Sequence, residues 1–537
     1  MNIKIVILVL LIMCALFLRV WKVGEFPVSL YGDEESFAWN AWNILKTGAD
    51  EFGTPYPLQF RAFDDYKAPI PVYLLVPVFG VFGMNPDSIR IPISVASVLT
   101  IIAIYALSRR FFDVRASLLI SFTIAISAWD IHLSRGYFEA TLSLLFLVSA
   151  LYFFLGNKIR DQLLNALFFS LSVYTYFTPR LFLIFMLPLL LVWKLKVIRN
   201  KKEAVKKVII SYGILFLISI PLLYQTFFGY GLSRFSKLLE GLNTRVVQTI
   251  GAERQTSSLS EFVTRNLVNK ATVSARFIIQ GYLEHFSFNF YFVNADTTLR
   301  YFTGDRGLLY LFDLPFLIAG LYKLWRYKRN AFYFIFIWLL TAPIPASIVG
   351  RPFSLRSLAM APPLWIIIGY GIYSVFQELR NKKIKYIFSV IITGIAVFSL
   401  LGWLIRYFYF YPKLGATWWG GINKIALEAA FKEQDKYTHI FLSDYYSGMP
   451  LSFAVYTQAD PRVFRQAVLN PVVLADGRHL IKLGKFYFGS LDIDKTRMNK
   501  NIIPVHSLYF ARPEEAVSEE AIHAPDDGRV LFYVYRN

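Results

Sequence analysis

The sequence predicts an all-α polytopic membrane protein that ends in a small extracytoplasmic α/β domain. Hydrophobic residues make up 56% of the chain and charged residues only 17%, below the roughly one quarter usual in soluble domains. The apolar residues are gathered in runs of about 15–25, the length that crosses roughly 30 Å of hydrocarbon as a helix. Lysines and arginines lie mostly in short clusters between these runs, which indicates a multi-pass topology.

The apolar runs are candidate membrane helices, and the basic clusters between them orient the chain. Basic connecting segments usually face the cytoplasm. With the N-terminus inside, every basic cluster of this chain can face the cytoplasm only if one of the early apolar runs does not cross the membrane. We expect that run to be 69–83, as an interfacial or re-entrant helix, because it is short and contains Pro69, Pro71 and Pro77. About eleven spanning helices remain, the first of them uncleaved. The candidate runs lie near residues 3–20, 69–83, 87–108, 116–131, 138–156, 163–178, 180–195, 208–229, 306–325, 331–349, 358–378 and 386–410.

This topology predicts a protein of the cytoplasmic membrane whose functional site and C-terminal domain lie on the extracytoplasmic face. The transmembrane domain is expected at 1–410 and the α/β domain at 411–537, because a helical pattern at 421–434 is followed by short β-like runs. The β-like runs lie at 439–444, 485–491 and 529–535. The segments expected outside the cytoplasm are 21–86, 132–137, 230–305, 350–357 and the chain after 411.

The outer loop 230–305 is too long to be a plain connection. Ser258 and Glu261 have the spacing of a capping box, and an amphipathic pattern continues from there to Ile278. We therefore predict a helix that begins at this point.

The net charge of +20 does not indicate a nucleic-acid-binding protein, because the basic residues are not gathered on one face or in one domain. Cys14 is the only cysteine, so neither a disulfide framework nor a cysteine metal site can form within the chain.

The first outer loop, 21–86, concentrates ionisable residues beside the membrane. Asp33 and Glu34 follow the first apolar run closely, and charge at such depth is normally kept for a function. A low-dielectric setting raises the pKa of a carboxylate toward the range of a general base. The alternative is that these acids stabilise the first turn of a helix over Ser36–Leu45, and both roles can hold together.

Lys67 stands at the other end of this loop, directly before Ala68 and Pro69. A cation there could hold the phosphate of a lipid-linked substrate, or its side chain could simply extend to the membrane interface. Asp64 and Asp65 could pair with Lys67 or hold a divalent ion, although two adjacent acids are weak evidence for a metal site.

Further charged residues lie in the other outer segments. Arg135 and Glu139 are four residues apart, so an ion pair on one helical face is the simple interpretation, and a phosphate ligand at Arg135 is the functional one. Arg351 and Arg356 oppose the general charge bias of the topology and therefore call for an anionic partner such as phosphate. The candidate substrate-binding residues are Asp65, Glu139 and, in the long loop, His285, Asp296 and Arg300.

Nucleotide-binding signatures are absent from the sequence, which contains neither a Walker loop nor a Rossmann glycine fingerprint after a strand. An extracytoplasmic active site has no supply of nucleotide sugars or ATP. A sugar donor for such a site would have to be activated by a lipid carrier.

Several motifs, in their shared order, resemble those of membrane-embedded transferases that use lipid-linked sugars. The chain resembles the protein O-mannosyltransferases of glycosyltransferase family 39 and the bacterial lipid A aminoarabinose transferases, which have the GT-C fold. The resemblance covers roughly residues 20–410. The motifs are GDEESFAWNAWNI, YKAPIPVYLL, SIRIPISVASVL, LSRGYFEATLSLLF, HFSFNFYFVNADTTLRYFTGDRGLLYLFDLPFLIAGLY and IPASIVGRPFSLRSLAMAP.

The resemblance implies an inverting transfer from a polyprenyl-phosphate sugar, with Asp33 as the base beside Glu34. It implies that Lys67 and the outer arginines, Arg135 first, neutralise the departing lipid phosphate. Bacterial relatives often carry a histidine between the proline and the second arginine of the outer arginine motif, whereas this chain has Phe353 there, so only the two arginines are carried over. No cofactor is implied, and no metal is expected for the chemistry.

The acceptor is left open by the resemblance, since relatives modify protein hydroxyls, lipids or cell-envelope glycans. The expected partners are thus a polyprenyl-phosphate sugar, the bilayer and one such extracytoplasmic acceptor, with no nucleic acid. Three alternatives remain: a flippase of lipid-linked sugars, a divalent-dependent oligosaccharyltransferase of the same fold, and a non-catalytic envelope scaffold. The flippase is disfavoured by the lack of a visible inverted repeat, and the scaffold does not explain Asp33, Glu34 and Lys67.

Overall fold

The structure, a computed structural model, describes residues 3–62, 65–197, 201–228, 231–474, 477–491, 503–515 and 518–537. The chain forms two compact units. The first, called unit 1 here, comprises Met1–Trp21, Arg61–Ile70 and Ile93–Leu404. The second, unit 2, comprises Lys22–Phe60, Pro71–Pro92 and Ile405–Asn537.

Helices account for most of the chain up to residue 414. In chain order they are α1 (Ile3–Val20), α2 (Gly32–Thr47), α3 (Pro69–Phe82), α4 (Pro86–Ser108), α5 (Val114–Ala125), α6 (Ala128–Ser134), α7 (Glu139–Phe154), α8 (Ile159–Thr175), α9 (Thr178–Val197), α10 (Lys201–Phe228), α11 (Gly231–Thr256), α12 (Glu261–Leu267), α13 (Lys270–Glu284), α14 (Asp313–Tyr327), α15 (Arg329–Thr341), α16 (Ile344–Ser347), α17 (Ala361–Glu378), α18 (Lys382–Ile405) and α19 (Tyr411–Leu414). Strands β1 (Phe60–Ala62) and β2 (Asp65–Lys67) form a small two-stranded sheet.

The protein is a multi-pass membrane protein. Among the described residues, six spans are long and apolar enough to cross a bilayer, or seven if the bent pair α5 and α6 forms one span. The spans lie at Ile3–Val20, Pro86–Ser108, Val205–Thr226, Arg329–Ser347, Leu358–Glu378 and Lys382–Leu414. The predicted total of about eleven membrane-spanning helices stays a prediction. Helix α3 has 14 residues, fewer than the roughly 20 that span hydrocarbon, as expected for the run 69–83.

A buried ionic network joins α1, α4 and α6 inside unit 1. The guanidinium of Arg19 donates to Asp130, with Nη2 to Oδ2 at 2.6 Å, and to the hydroxyl of Ser97 at 2.7 Å. It also donates to the carbonyls of Ile124 and Ala125 at the end of α5, where the chain bends by 57° before α6. The arginine therefore caps carbonyls at the end of α5, where the regular helical hydrogen bonding stops.

The long outer loop forms two amphipathic helices, α11 and α13, joined by the short α12. The predicted start near Glu261 is confirmed, but the helix ends at Leu267. A new helix begins after Asn269, whose side chain accepts from the N–H groups of Ala271 and Thr272. Such a cap favours a fresh helix start over continuation, which is why one predicted helix became two.

The C-terminal part of unit 2 is an α/β fold, as predicted. Helix α20 (Gly421–Glu433) confirms the pattern at 421–434, and α21 (Met449–Tyr456) and α22 (Pro461–Leu469) follow it. The strands are β3 (His439–Leu442), β4 (Val472–Val473), β5 (His479–Leu483), β6 (Phe486–Phe488), β7 (Ser507–Ala511), β8 (Ala521–His523) and β9 (Val530–Arg536). They form one sheet in the order β4-β5-β6-β3-β7-β9-β8.

The centre of this sheet is β3, which pairs in parallel with β6 on one side and β7 on the other. Its alternate residues Ile440 and Leu442 are fully buried and pack with residues from α20 and α21 in one apolar core. Phe441 points to the opposite face and packs with Tyr509 in a second cluster. Both faces of the central strand are therefore covered, as in other sheets with parallel strands.

Helix α2 belongs to the same compact unit as this sheet and packs on α21 and α22. The indole of Trp39 packs edge-on against the ring of Phe464 at 4.9 Å, and Trp42 Nε1 donates to the carbonyl of Ala459 at 3.2 Å. The acidic loop of the N-terminal region is thus folded together with the C-terminal domain. The predicted domain boundary at residue 411, between the transmembrane domain and the C-terminal domain, stays a prediction, because the two compact units divide the chain differently.

Candidate active site

Glu34 lies in the first turn of α2 and is fully buried in an ion pair with Arg90. Both carboxylate oxygens accept from the guanidinium, Oε1 from Nε and Oε2 from Nη2, each at 2.9 Å. Arg90 also donates to the carbonyls of Val23, Pro27 and Ser29. This bidentate pair anchors the segment that leads into α2, so Glu34 has a clear structural task.

Glu35 is also buried, and its Oε2 accepts from the hydroxyl of Ser452 in α21 at 2.9 Å. The same hydroxyl accepts from Asn423 Nδ2 at 3.0 Å. The pKa of Glu35 is raised to about 8: burial is the main cause, the bond from Ser452 opposes the rise, and the nearby charge of Glu34 adds to it. Glu35 therefore connects α2 to α20 and α21 through one polar chain.

Asp33 is the most accessible of these three consecutive acids. Its side chain is half-buried, whereas those of Glu34 and Glu35 are buried. A base must reach the proton it removes, so exposure separates Asp33 from its two neighbours. The capping interpretation also holds, since all three acids lie in the first turn of α2.

Lys67 ends strand β2 and is buried, with 6% of its side chain exposed. It lies in unit 1, whereas Asp33 and Glu34 lie in unit 2. Asp64 lies outside the described residues, and for Asp65 the structure describes the strand but not the side chain. The predicted roles of Lys67 and Asp65 stay predictions.

Arg135 is fully buried just after α6 and holds the end of α1. Its Nη1 donates to the carbonyls of Leu18 and Arg19 at 3.1 and 3.3 Å, and its Nη2 donates to that of Trp21 at 2.9 Å. These are terminal carbonyls for which a helix has no partners of its own. Glu139, the first residue of α7, is also buried. The phosphate role of Arg135 stays a prediction, and the structure shows a capping role.

The segment 350–356, called the arginine turn here, is held by Asp296 from the long outer loop. Oδ2 of Asp296 accepts from both the N–H and the hydroxyl of Ser354, at 2.9 and 2.7 Å. Its Oδ1 accepts from the N–H groups of Thr297 and Thr298. One buried carboxylate thus orders its own loop and the turn together.

His285 holds the residue next to Ser354. Its Nδ1 bonds to the carbonyl of Gly281 at 2.6 Å, and its Nε2 lies 3.4 Å from the N–H of Phe353. The first bond requires a proton on Nδ1 and the second an unprotonated Nε2, so the neutral Nδ1–H tautomer fits both partners. Burial lowers the pKa of His285 to about 4, which keeps this tautomer uncharged.

Glycine at two positions permits this close approach of α13 to the arginine turn. A Cβ on Gly281 would lie 2.8 Å from the backbone nitrogen of Arg351 and 2.9 Å from the carbonyl carbon of Gly350. Gly350 itself has φ of +75°, which L side chains rarely adopt. The turn is therefore fixed by backbone contacts, not only by side chains.

The arginines of the turn are presented differently. Arg351 is exposed, with Nη1 3.4 Å from the hydroxyl of Thr297. Arg356 is half-buried and lies over the ring of Phe353 at 4.6 Å. Arg300 is half-buried, and its carbonyl bonds to His132 Nε2 at 2.9 Å. Unit 1 thus brings the predicted residues of the long loop and the arginine turn together.

A metal site requires several donor side chains around one point. Among the described residues, no group of three or more His, Cys, Asp or Glu side chains is arranged to hold an ion. Glu34 accepts from arginine on both oxygens and Glu35 from serine, which are not the surroundings of metal ligands. The described residues therefore offer no assembled metal site.

Sequence reasoning missed the partners that hold these acids and loops: Arg90, Ser452, Arg19 and Asp130. The signal for three of them was present, because Arg19, Arg90 and Asp130 are ionisable residues inside predicted apolar runs. Such residues normally pair with one another or mark a function. Ser452 carries no comparable signal, since serine is common at all depths.

The fold is the GT-C fold of membrane glycosyltransferases. The apo oligosaccharyltransferase of Archaeoglobus fulgidus superposes with a TM-score of 0.53 at 15% identity, covering 84% of this chain. AglB from the same organism, in complex with an inhibitory peptide and a dolichol-phosphate, gives 0.52 at 16% identity over 84% of this chain. The chain spans 63% of the length of both.

ArnT from Cupriavidus metallidurans in the apo state matches over nearly its whole length. The TM-score is 0.51 at 14% identity, with 98% of this chain and 97% of that chain covered. Residues 66–224 match the family model of the dolichyl-phosphate-mannose-protein mannosyltransferases, which is under a third of the sequence. No curated protein matches the chain significantly in sequence.

Proposed function

We propose that the protein transfers a sugar from a polyprenyl-phosphate donor to an extracytoplasmic acceptor, with inversion at the anomeric carbon. The observation that carries this proposal is the arrangement at the start of α2. Arg90 engages Glu34 and Ser452 engages Glu35, while Asp33 keeps a half-buried carboxylate. Proton transfer requires a base that is held in a fixed position near its substrate. Asp33 meets this requirement because the residues next to it, Glu34 and Glu35, are held in place.

Asp33 is proposed to accept the proton of the acceptor hydroxyl as that oxygen bonds to the anomeric carbon of the sugar. The bond between this carbon and the phosphate oxygen breaks on the opposite face, and its electron pair leaves with the polyprenyl phosphate. The side chains proposed to stabilise the phosphate as its negative charge develops are Lys67, Arg135, Arg351 and Arg356. Glu34 is assigned the supporting task of fixing the first turn of α2.

Similar proteins support the class of substrate. AglB was solved with dolichol-phosphate and a peptide, and the family model that matches residues 66–224 describes enzymes that use dolichyl-phosphate mannose. A lipid-linked sugar donor and an acceptor outside the cytoplasm are therefore proposed here. A protein, a lipid and an envelope glycan are all compatible acceptors.

The test is cleavage of a radiolabelled polyprenyl-phosphate sugar by the protein reconstituted in lipid vesicles, with an envelope extract as acceptor. We expect Asp33→Asn to lower turnover by 10²- to 10⁴-fold, the usual contribution of a general base, while donor binding is retained. Asp444→Asn, an exposed acid of unit 2, is the matched control and should be unchanged.

Two results would overturn the proposal. Equal turnover by wild type and Asp33→Asn would remove the assigned base. Movement of the intact donor between leaflets by both proteins, without cleavage, would identify a flippase. A chelator arm decides the mechanism: loss of turnover in chelator would favour the divalent-dependent alternative, and unchanged turnover would support catalysis by protein groups alone.

A further inference from the structure

A crevice of about 310 Å³ lies inside unit 1 between α5, α14, α17 and α18. Helices α17 and α18 each coincide with a span long and apolar enough to cross the membrane. Helix α18 buries only Ala396 and Trp403 among its 24 residues, so it stands largely apart from its neighbours. The crevice fills part of the space between α18 and the other three helices.

The crevice is long and narrow. Both Trp365 and Phe376 of α17 line it, and eleven residues of helix correspond to about 16 Å. Along α18 the lining runs from Phe388 to Ala396. A slot of this length and volume suits one hydrocarbon chain and not a compact polar molecule.

Three hydroxyl groups in the wall already have partners. Tyr310 donates its hydroxyl to the carbonyl of Ile126 at 2.8 Å, and Ser389 donates to that of Lys385 at 2.9 Å. Thr123 donates to the carbonyl of Ile120 at 2.7 Å. Since these hydroxyl protons are used internally, the wall makes little demand for water, and an apolar cavity of this kind favours an apolar occupant.

The wall of the crevice is poorly suited to a phosphate. Asp313 is the ionisable acid that lines the crevice, and neither lysine nor arginine is among its described lining residues. The phosphate of a polyprenyl-phosphate donor would therefore find no cation in this lining to pair with it. Arg351 and Arg356, which are proposed to bind the donor phosphate, are not among those lining residues either.

We propose that the crevice is a binding site for one acyl chain of a bilayer phospholipid, separate from the donor site. The surroundings of these helices are hydrocarbon, and a void there would forfeit dispersion contacts on both walls. A bound chain supplies those contacts and joins α18 to the helices it otherwise barely touches. The proposal stands whether or not the protein transfers sugars.

The test compares two neighbouring residues of α18 that are changed to the same large side chain. Ala396 lines the crevice and is buried, whereas Val397 is 48% exposed on the outer side of the helix. Ala396→Phe should fill the slot, and Val397→Phe is the matched control. After exhaustive detergent washing, native mass spectrometry should find about one phospholipid per wild-type or control molecule and at least fivefold less on Ala396→Phe.

Wild-type protein provides a second test should Ala396→Phe fail to fold. It is reconstituted in phosphatidylethanolamine and phosphatidylglycerol vesicles that contain a phospholipid with a photoactivatable acyl chain. Irradiation should give adducts on Trp365 or Ile368, each only 1% exposed and therefore shielded from bulk lipid. Equal retention by all variants, labelling confined to exposed residues, or retention of polyprenyl phosphate in place of phospholipid would each overturn the proposal.

Discussion

Asp296 accepts two hydrogen bonds from Ser354, one from its N–H at 2.9 Å and one from its hydroxyl at 2.7 Å. The two residues lie 58 positions apart, in two different loop segments. Asp296 is itself buried, so its carboxylate ties the long loop to the arginine turn without presenting an exposed binding group. Its first task is therefore to position Arg351 and Arg356.

We expect Asp296→Ala to leave the N–H of Ser354 unsatisfied and to loosen the arginine turn. Each buried donor left without a partner costs about 1–3 kcal/mol, so affinity for polyprenyl phosphate should fall about tenfold or more. Ser354→Ala should weaken it in the same direction, and the double variant should lose less than the sum of the two. Binding is measured by titration of polyprenyl phosphate into the purified protein.

Asp305→Ala is the control, because Asp305 lies in the same loop but pairs with Arg306 and Thr303. Its affinity for polyprenyl phosphate should stay within a factor of two. If Ser354→Ala had no effect while Asp296→Ala abolished binding, Asp296 would be contacting the ligand directly and the positioning role would be wrong.

His285→Phe should also loosen the turn, because phenylalanine cannot accept from the N–H of Phe353. His285→Gln can donate and accept and should recover part of the lost affinity.

The folded-state pKa of His285, about 4, lies below its ordinary value of 6.5. The folded state therefore binds fewer protons, so stability from this group is present above pH 6.5 and is lost as pH falls toward 4.

The measurement is melting temperature against pH for wild type, His285→Gln and the control His523→Gln at an exposed site. The acid-sensitive part of the wild-type curve should disappear in His285→Gln and persist in the control. Identical curves for all three proteins would show that His285 is not held neutral in the folded state.

Breaking the pair of Glu34 and Arg90 should destabilise unit 2 strongly. Removing one partner of a buried ion pair typically costs about 3–5 kcal/mol, so Glu34→Gln should lower the melting temperature by many degrees. The exposed pair of Lys22 and Glu25, with N–O at 2.8 Å, offers a contrast, because such pairs contribute about 1 kcal/mol or less. Glu25→Gln should therefore be nearly neutral, and equal losses in the two variants would contradict the anchoring role.

Glu35 should make the folded protein less stable as pH rises. Its folded-state pKa of about 8 exceeds the ordinary 4.5, so the folded state binds more protons between these values. Stability from this group is therefore largest at low pH and falls by up to about 1.4 kcal/mol per pH unit within the window. Glu35→Gln should remove that slope and keep the bond from Ser452, which unfolding curves at pH 5 to 8 would reveal.

The periodic and compositional features were predictable because they are local. Apolar runs marked the helices, the pattern at 421–434 marked α20, and short β-like runs marked β3, β6 and β9. The resemblance in motif order predicted the GT-C fold. A helix start in the long loop was predicted near the right place, but the predicted capping box of Ser258 and Glu261 was wrong, because the helix begins at Glu261 after Ser260. Asn269 started a second helix that the overall pattern concealed.

The candidate site was predicted in its residue types but not in their partners. The substrate roles of Arg135 and Glu34 stay predictions, and the structure adds that Arg135 caps α1 and that Glu34 pairs with Arg90. The distinction depends on which groups surround each side chain. An ionisable residue near a membrane has the same sequence signature in either role.

The sequence by itself determined the membrane-embedded helical architecture, the C-terminal α/β domain and the clustering of charge between the apolar runs, because each depends on hydrophobic period and composition. Only the tertiary structure decided that Glu34 is buried against Arg90, that Asp33 keeps its exposure, and that Asp296 and His285 hold the arginine turn. These contacts join residues about 55 to 70 positions apart, where desolvation and hydrogen-bond geometry, not local pattern, determine the role of a charge.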